Sequence, residues 1–362
     1  MKSLFLKSFS LCLLLVGAAT LVSCGEDDDD ILGPQIEPVV PHDVTLDATN
    51  FPDDIFRAYV SRLTGVEEDE VITAEVLAEV TEIDVHESHI QSLKGIEHFT
   101  LLEYLNCHFN NLTSLDVSNN IKLKRLDCDH NELTSLDVSK NVALKKLECS
   151  SNDLTSMDVS KNVALETLYC AGNQLDLLDV SKNVALEYLN CHFNNLTSLD
   201  VSNNIKLKRL DCDHNELTSL DVSKNVALEY LGCTGNQLTS LDVSKNVALK
   251  ELDCEDNQLT SLDVSKNVAL EELYCYSNQL TSLISSPTGA LVRVSCFSNQ
   301  LRGAQMDALI AGLPVFFDGG FWVIDTDDSS EGNVCTVAQV NAARAKGWLV
   351  LDVNGGFSYS GS

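Results

Sequence analysis

Three sets of residues in this chain have the types and spacing to do chemistry. Ten cysteines recur every 21 residues: Cys107, Cys128, Cys149, Cys170, Cys191, Cys212, Cys233, Cys254, Cys275 and Cys296. Thiols in that number suggest a disulfide framework or a metal ladder. Eight aspartates keep the same period, at Asp116, Asp137, Asp158, Asp179, Asp200, Asp221, Asp242 and Asp263; stacked carboxylates are the ligands calcium takes. His108, Asp129 and His130 recur as His192, Asp213 and His214. Two imidazoles and a carboxylate are a zinc donor set or an acid–base pair.

The period argues against each of these chemistries. A strict repeat of this length means stacked coils, each touching only its neighbours. In-register residues on adjacent parallel strands point the same way, with Cβ atoms about 5 Å apart, whereas a disulfide needs roughly 3.8 Å and converging bonds. Inside a coil the neighbours of each cysteine are Leu and Val, not further ligands. The thiols are therefore expected to be free and buried, acting as small hydrophobes. Each Asp precedes a turn, where it bonds local backbone N–H groups. Lysines follow six of them (Lys140, Lys161, Lys182, Lys224, Lys245 and Lys266). His–Asp pairs across strands are ordinary, and residues 102–143 and 186–227 are identical, so the second triplet is a copy of the first. No metal, no cofactor and no catalysis are expected: the sequence has no nucleophile–base pair, phosphate loop or recognisable zinc motif.

The coils that position these residues can be read from one unit. From Leu102 it runs LEYLNCHFNNLTSLDVSNNIK, a frame of L-x-x-L-x-C-x-x-N-x-L followed by LDVSxN. Leu105 and Cys107, two apart, face the interior of a short strand, and Asn106 between them faces out. Leu102, Leu112, Leu115, Val117 and Leu123 complete the interior. LDVSxN is expected to form a second short extended stretch on the opposite wall. One coil cannot bury this face alone, so stacking is obligatory, and rungs at ~4.8 Å give an arc on the order of 50 Å long.

The first eleven residues of the frame match the leucine-rich repeat pattern, and the chain resembles that family from about Val80 to Leu301. Leu93-Lys94-Gly95-Ile96-Glu97 resembles internalin-type repeats. The resemblance implies an α/β solenoid, a leucine-rich repeat arc of about eleven coils over 81–301. It also implies that Asn110 and its equivalents use their amides to satisfy the bends. A small helical N-terminal cap is expected over 44–80, with helices after Pro52 and near Thr73–Val80. The loop at Gly65–Glu70 lacks the first Asp and central Gly of a calcium loop. An α/β C-terminal cap is expected over 302–362, with helices at Ala304–Leu313 and Val337–Lys346 and strands at Phe321–Ile324 and Trp348–Val353.

The N-terminus reads as an address. Residues 1–23 carry Lys2 and Lys7, then an apolar run, as a secretory signal does. Leu21-Val22-Ser23-Cys24 resembles a bacterial lipobox, which implies that Cys24 becomes the acylated N-terminus, with several chains giving stable anchoring. The run Gly25–Asp30 looks like the surface-export signal of lipoproteins in anaerobic Gram-negative gut bacteria. Residues 24–43, with three prolines, read as a tether. Lipid anchoring in the outer membrane, facing out, is the expected location. The net charge of −30 makes nucleic acid and bare anionic membrane unsuitable partners.

Function is then expected on the outward strand positions, which vary while the frame does not. The candidates are Tyr104, Asn106, His108, Arg125, Asp127, Asp129, Tyr169, Tyr188, Asn190, His192, Arg209, Asp211, Asp213, Tyr230, Tyr274 and Tyr276. Tyr and Arg on a rigid face are good anchors for a protein ligand on a host or neighbouring cell. The tyrosines also suit sugar stacking, which makes glycan capture the alternative. Beside them Glu103, Lys124, Lys145, Glu166, Glu187, Lys208, Glu229, Lys250 and Glu271 mostly alternate in sign, as cross-strand pairing favours.

Overall fold

A computed structural model describes residues 40–316, 318–354 and 358–362. The segment 1–23, Cys24 and the acidic run lie outside the described residues. Strand β1 (Val44–Thr45) leads to helix α1 (Asp54–Thr64), whose N-cap Asp53 accepts from the N–H groups of Ile55 and Phe56. Asp53 thereby satisfies two of the helix's free donors, as Asp does at such positions. Strand β2 (Val71–Ile72) pairs antiparallel with β1, and α2 (Ala74–Glu79) follows, capped by Thr73. Phe51, Phe56, Val60, Ile72 and Leu77 are fully buried between them.

Strand β3 (Glu82–Asp84) opens the array. Eight three-residue strands at the 21-residue period come next. They are β4 (Tyr104–Asn106), β5 (Arg125–Asp127), β6 (Lys146–Glu148), β7 (Thr167–Tyr169), β8 (Tyr188–Asn190), β9 (Arg209–Asp211), β10 (Tyr230–Gly232) and β11 (Glu251–Asp253). Then β12 (Ser261–Asp263), β13 (Glu272–Tyr274), β14 (Ser282–Ile284) and β15 (Arg293–Ser295) complete the repeats. The chain ends with α3 (Ala304–Gly312), β16 (Gly319–Ile324), α4 (Val337–Ala345) and β17 (Trp348–Asp352). One 13-stranded parallel sheet runs from β3 to β17, with every repeat strand in unshifted register on the next. The fold is a leucine-rich repeat solenoid.

The interior follows the frame. Leu102, Leu105, Cys107, Leu112, Val117 and Leu123 are inaccessible to solvent, and Leu115 nearly so. All ten repeat cysteines and Cys335 are free and buried. Several thiols donate to the next strand's carbonyl, as Cys128 does to Glu148 O at 3.4 Å and Cys212 to Gly232 O at 3.2 Å. Burial pushes these thiols up; Cys170 reaches about 12.

Two rows of asparagine hold the bends. Asn131 donates to the carbonyls of Cys107, Cys128 and Asp129 and accepts from Leu112 N–H. The expected row from Asn110 is thus present. A second row, Asn120 to Asn267, was not anticipated: Asn141 donates to Val117 O and Asn120 O, and its equivalents repeat this. Among the described residues, the expected extended stretch on the far wall pairs as strands at β12 and β14. The eight aspartates behave as turn residues: Ser118, Ser139 and Ser160 each donate an N–H to the preceding Asp at 2.9 Å.

Candidate functional site

The outward face is lined with cross-strand ion pairs. Lys124–Glu103, Lys145–Glu166, Lys208–Glu187 and Lys250–Glu229 close at 2.6–3.0 Å. Such exposed pairs each contribute little, about 0–1 kcal/mol, but they fix the register of charge along the face.

The anticipated candidates divide into several groups. Tyr188, Arg209 and Tyr230 converge on one cavity of about 300 Å³, joined by Lys208, Glu229, Lys250 and Glu251. Arg209 lies 3.4 Å over the Tyr230 ring, a cation–π contact worth on the order of 1 kcal/mol. Tyr188 is the most exposed of the three, at 37 %. At the duplicate the position of Tyr230 is held by Lys146, and Arg125 turns to Glu148 at 3.1 Å with its Cζ 5.1 Å from the Tyr104 ring. Identical sequences therefore present different faces, decided by the side chains that the next rung supplies. Tyr169 meets Lys146 at 5.7 Å. Tyr274 and Tyr276 sit apart, at the C-terminal end.

Other candidates are not presented as expected. Asn106 and Asn190 accept from the N–H groups of His108 and His192, serving their own backbone. Asp127 and Asp211 are only 7 % exposed, covered by their neighbours. Lost solvation, with Glu148 nearby, raises the Asp127 carboxyl above its usual range.

The His–Asp–His constellation comes apart. His108 Nδ1 faces Asp127 at 3.5 Å, and His192 faces Asp211 at 3.6 Å. Asp129 is occupied by the Ser150 N–H and Asp213 by the Thr234 N–H. His130, at φ 52°, turns away to stack on Phe109 at 4.1 Å, and His214 does the same on Phe193. Among the described residues no group of three or more His, Cys, Asp or Glu is placed to hold a metal. The hydrogen bond to Asp211 raises the His192 imidazole above its ordinary value.

Three residues of the outward face escaped sequence reasoning: Arg293, Phe297 and Trp322, which line a second cavity with Tyr274 and Tyr276. The repeat frame would have found the first two. Trp322 was legible only as the outward position between buried Phe321 and Val323, in a strand read as structural.

The fold and this face define a leucine-rich repeat solenoid, similar in sequence and in fold to internalins. No protein-family model matches the chain. Internalin J of Listeria monocytogenes serotype 4b is 42% identical over 70 residues, which is 19% of this chain and 8% of that protein. The matched stretch is thus a small part of the curated relative's length. The functional domain of InlJ from Listeria monocytogenes, described as including a cysteine ladder, superposes with a TM-score of 0.58 at 28% identity, over 88% of this chain and 81% of that one. The leucine-rich repeat protein LIC12759 of Leptospira interrogans shares the fold, with a TM-score of 0.52 at 24% identity over 62% and 68% of the two chains.

Proposed function

We propose that this chain is a bacterial surface adhesion module, binding a protein ligand of a host or neighbouring cell through the outward face of its parallel sheet. The cavity at Tyr188, Arg209 and Tyr230 carries the reading. Two tyrosines and an arginine are already ordered there by a cation–π contact and flanking ion pairs. Anchors fixed before binding lose little freedom on complex formation, and Tyr and Arg dominate binding energy at interfaces. The likeness to the functional domain of InlJ supports a non-catalytic binding role. Export and lipid anchoring rest on the charge and apolar pattern of residues 1–23 and on Cys24. In this reading 44–80 and 302–362 cover the two ends of the solenoid, which a stacked array requires.

The test is chemical cross-linking of the mature protein to surface-labelled host cells, with the captured ligand then measured against a Tyr104→Ala, Tyr188→Ala, Tyr230→Ala triple variant. A drop in affinity of about tenfold or more is expected; full retention defeats the assignment of the face. Protease shaving of intact producing cells tests display, which complete protection would contradict.

A further inference from the structure

At the C-terminal end of the array the outward face changes character. The parallel register of β13, β15 and β16 lines up Tyr274, Ser295 and Trp322 across three neighbouring rungs. The strands carrying the two aromatics are two rungs apart, about 9.6 Å at the usual spacing, with the short Ser295 between. The other short residue at this frame position, Gly232, is roofed by the Tyr230 ring. Ser295, itself buried, contributes to the lining of a cavity of about 440 Å³. That lies within the size range of small-ligand sites.

Four of its seven lining residues are aromatic, and Val353 adds a further apolar surface. Tyr276 and Phe297 stack at 4.5 Å along one side. The Trp322 indole lies over Gly320, where a Cβ would come within 2.4 Å of the ring. The opposite end is polar and fixed: Arg293 Nη1 donates to Glu272 Oε2 at 2.8 Å and to Tyr274 Oη at 2.9 Å, and its Cζ lies 5.9 Å from the Trp322 ring.

This combination selects a ligand class. Arg293 and Glu272 compensate each other, so nothing in the cavity favours an ion. An extended peptide has no edge to pair with, since β15 is bonded on both sides by β13 and β16. What fits is a puckered ring with apolar C–H faces for the aromatics and a rim of hydroxyls for the Arg293 guanidinium and the Tyr274 hydroxyl. We propose that this cavity binds a neutral pyranose unit of a glycan. The proposal is independent of the protein-binding reading, which concerns other rungs.

The test uses tryptophan fluorescence of the mature chain. Of its two tryptophans, Trp348 is buried and Trp322 is half-buried at the cavity. A panel of neutral hexaoses (maltohexaose, laminarihexaose, mannohexaose, cellohexaose, xylohexaose and chitohexaose) is titrated beside sialyllactose and decaproline. At least one neutral hexaose is expected to give a saturable change. Ser295→Tyr should weaken it at least about tenfold, and it is expected to fold because the frame carries Tyr at the equivalent positions 169 and 274. Trp322→Phe, followed by calorimetry, should weaken it as well. The triple alanine variant of Tyr104, Tyr188 and Tyr230 should bind the hexaose normally, which separates this site from the central one. The proposal is overturned if no neutral hexaose binds, if only decaproline or sialyllactose binds, or if Ser295→Tyr binds as tightly as the parent.

Discussion

The hydroxyl of Tyr230 donates to Asp253 Oδ2 at 2.8 Å, reaching past the bare backbone of Gly232 to the next rung. A Cβ at Gly232 would stand 2.9 Å from that hydroxyl and 2.9 Å from Asp213 Oδ1. The missing side chain is what lets the ring recline, and the reclined ring is what Arg209 covers. Burial and the Asp253 carboxylate together push the Tyr230 phenol well up.

Replacing Gly232 should therefore dismantle the central cavity. Gly232→Ala is expected to lose about 1–3 kcal/mol through overpacking, read as a lower urea midpoint. The Tyr230 phenol should titrate closer to its ordinary value, followed by ultraviolet absorbance. An unchanged midpoint and titration would show that the ring has another resting place.

Stability should fall as pH rises towards neutrality. Loss of solvation raises the carboxyls of Asp129, Asp213 and Asp253 to about 7 each. Their folded values exceed the ordinary value of 3.8, so ionisation favours the unfolded chain. The stability they lend is complete below the ordinary value and is lost as pH rises through about 7. Exposed Asp137 and Asp158, held low by their Ser139 and Ser160 hydrogen bonds, act in the opposite sense only in stronger acid. The urea midpoint is expected to be higher at about pH 5 than at about pH 8. An Asp129→Asn, Asp213→Asn double variant should flatten the difference.

The two asparagine rows should differ in strength. Asn131→Ala removes three donated bonds and orphans one buried N–H, that of Leu112, while the three carbonyls keep Asn110, Asn152 and the Phe109 N–H as donors. Asn141→Ala removes two donated bonds but orphans no group, because Val117 O and Asn120 O keep the N–H groups of Asn120 and Leu123 and the Oδ1 of Asn141 accepts from no protein group. At about 1–3 kcal/mol per buried unsatisfied group, Asn131→Ala is expected to be the more damaging by urea denaturation. The reverse order would mean that the second row carries more of the bend than its bonds indicate.

The eleven described cysteines should resist alkylation. All are buried and free, and burial holds even Cys335 up at about 11. Iodoacetamide at about pH 8 should leave them unmodified in the native protein and label all of them in urea, as thiolate access dictates. Mass spectrometry of the tryptic peptides reads this directly. Native labelling of any mid-array thiol would contradict its burial.

Much of the solenoid was legible from one unit. Leu105 and Cys107 two apart, Asn110 before a bend and Asp116 before Ser118 each obey a local rule, and ten copies of a local rule make an architecture. The second asparagine row was not legible, because Asn120 looks like any turn residue until its neighbour's carbonyls are placed. Nor was the His–Asp pairing. His108 meets Asp127 because the Ser150 N–H has already taken Asp129, a fact that belongs to a residue two strands away.

The sequence by itself determined the inside: which side chains fill a coil, that coils must stack, and that the thiols fill space. Those conclusions come from period and alternation, which one strand already contains. Only the tertiary structure decided the outside. Tyr104 and Tyr188 stand in identical stretches of sequence, yet Arg125 turns to Glu148 while Arg209 settles on Tyr230. A surface side chain takes its partner from the adjacent rung, 21 residues away in sequence and about 4.8 Å away in space.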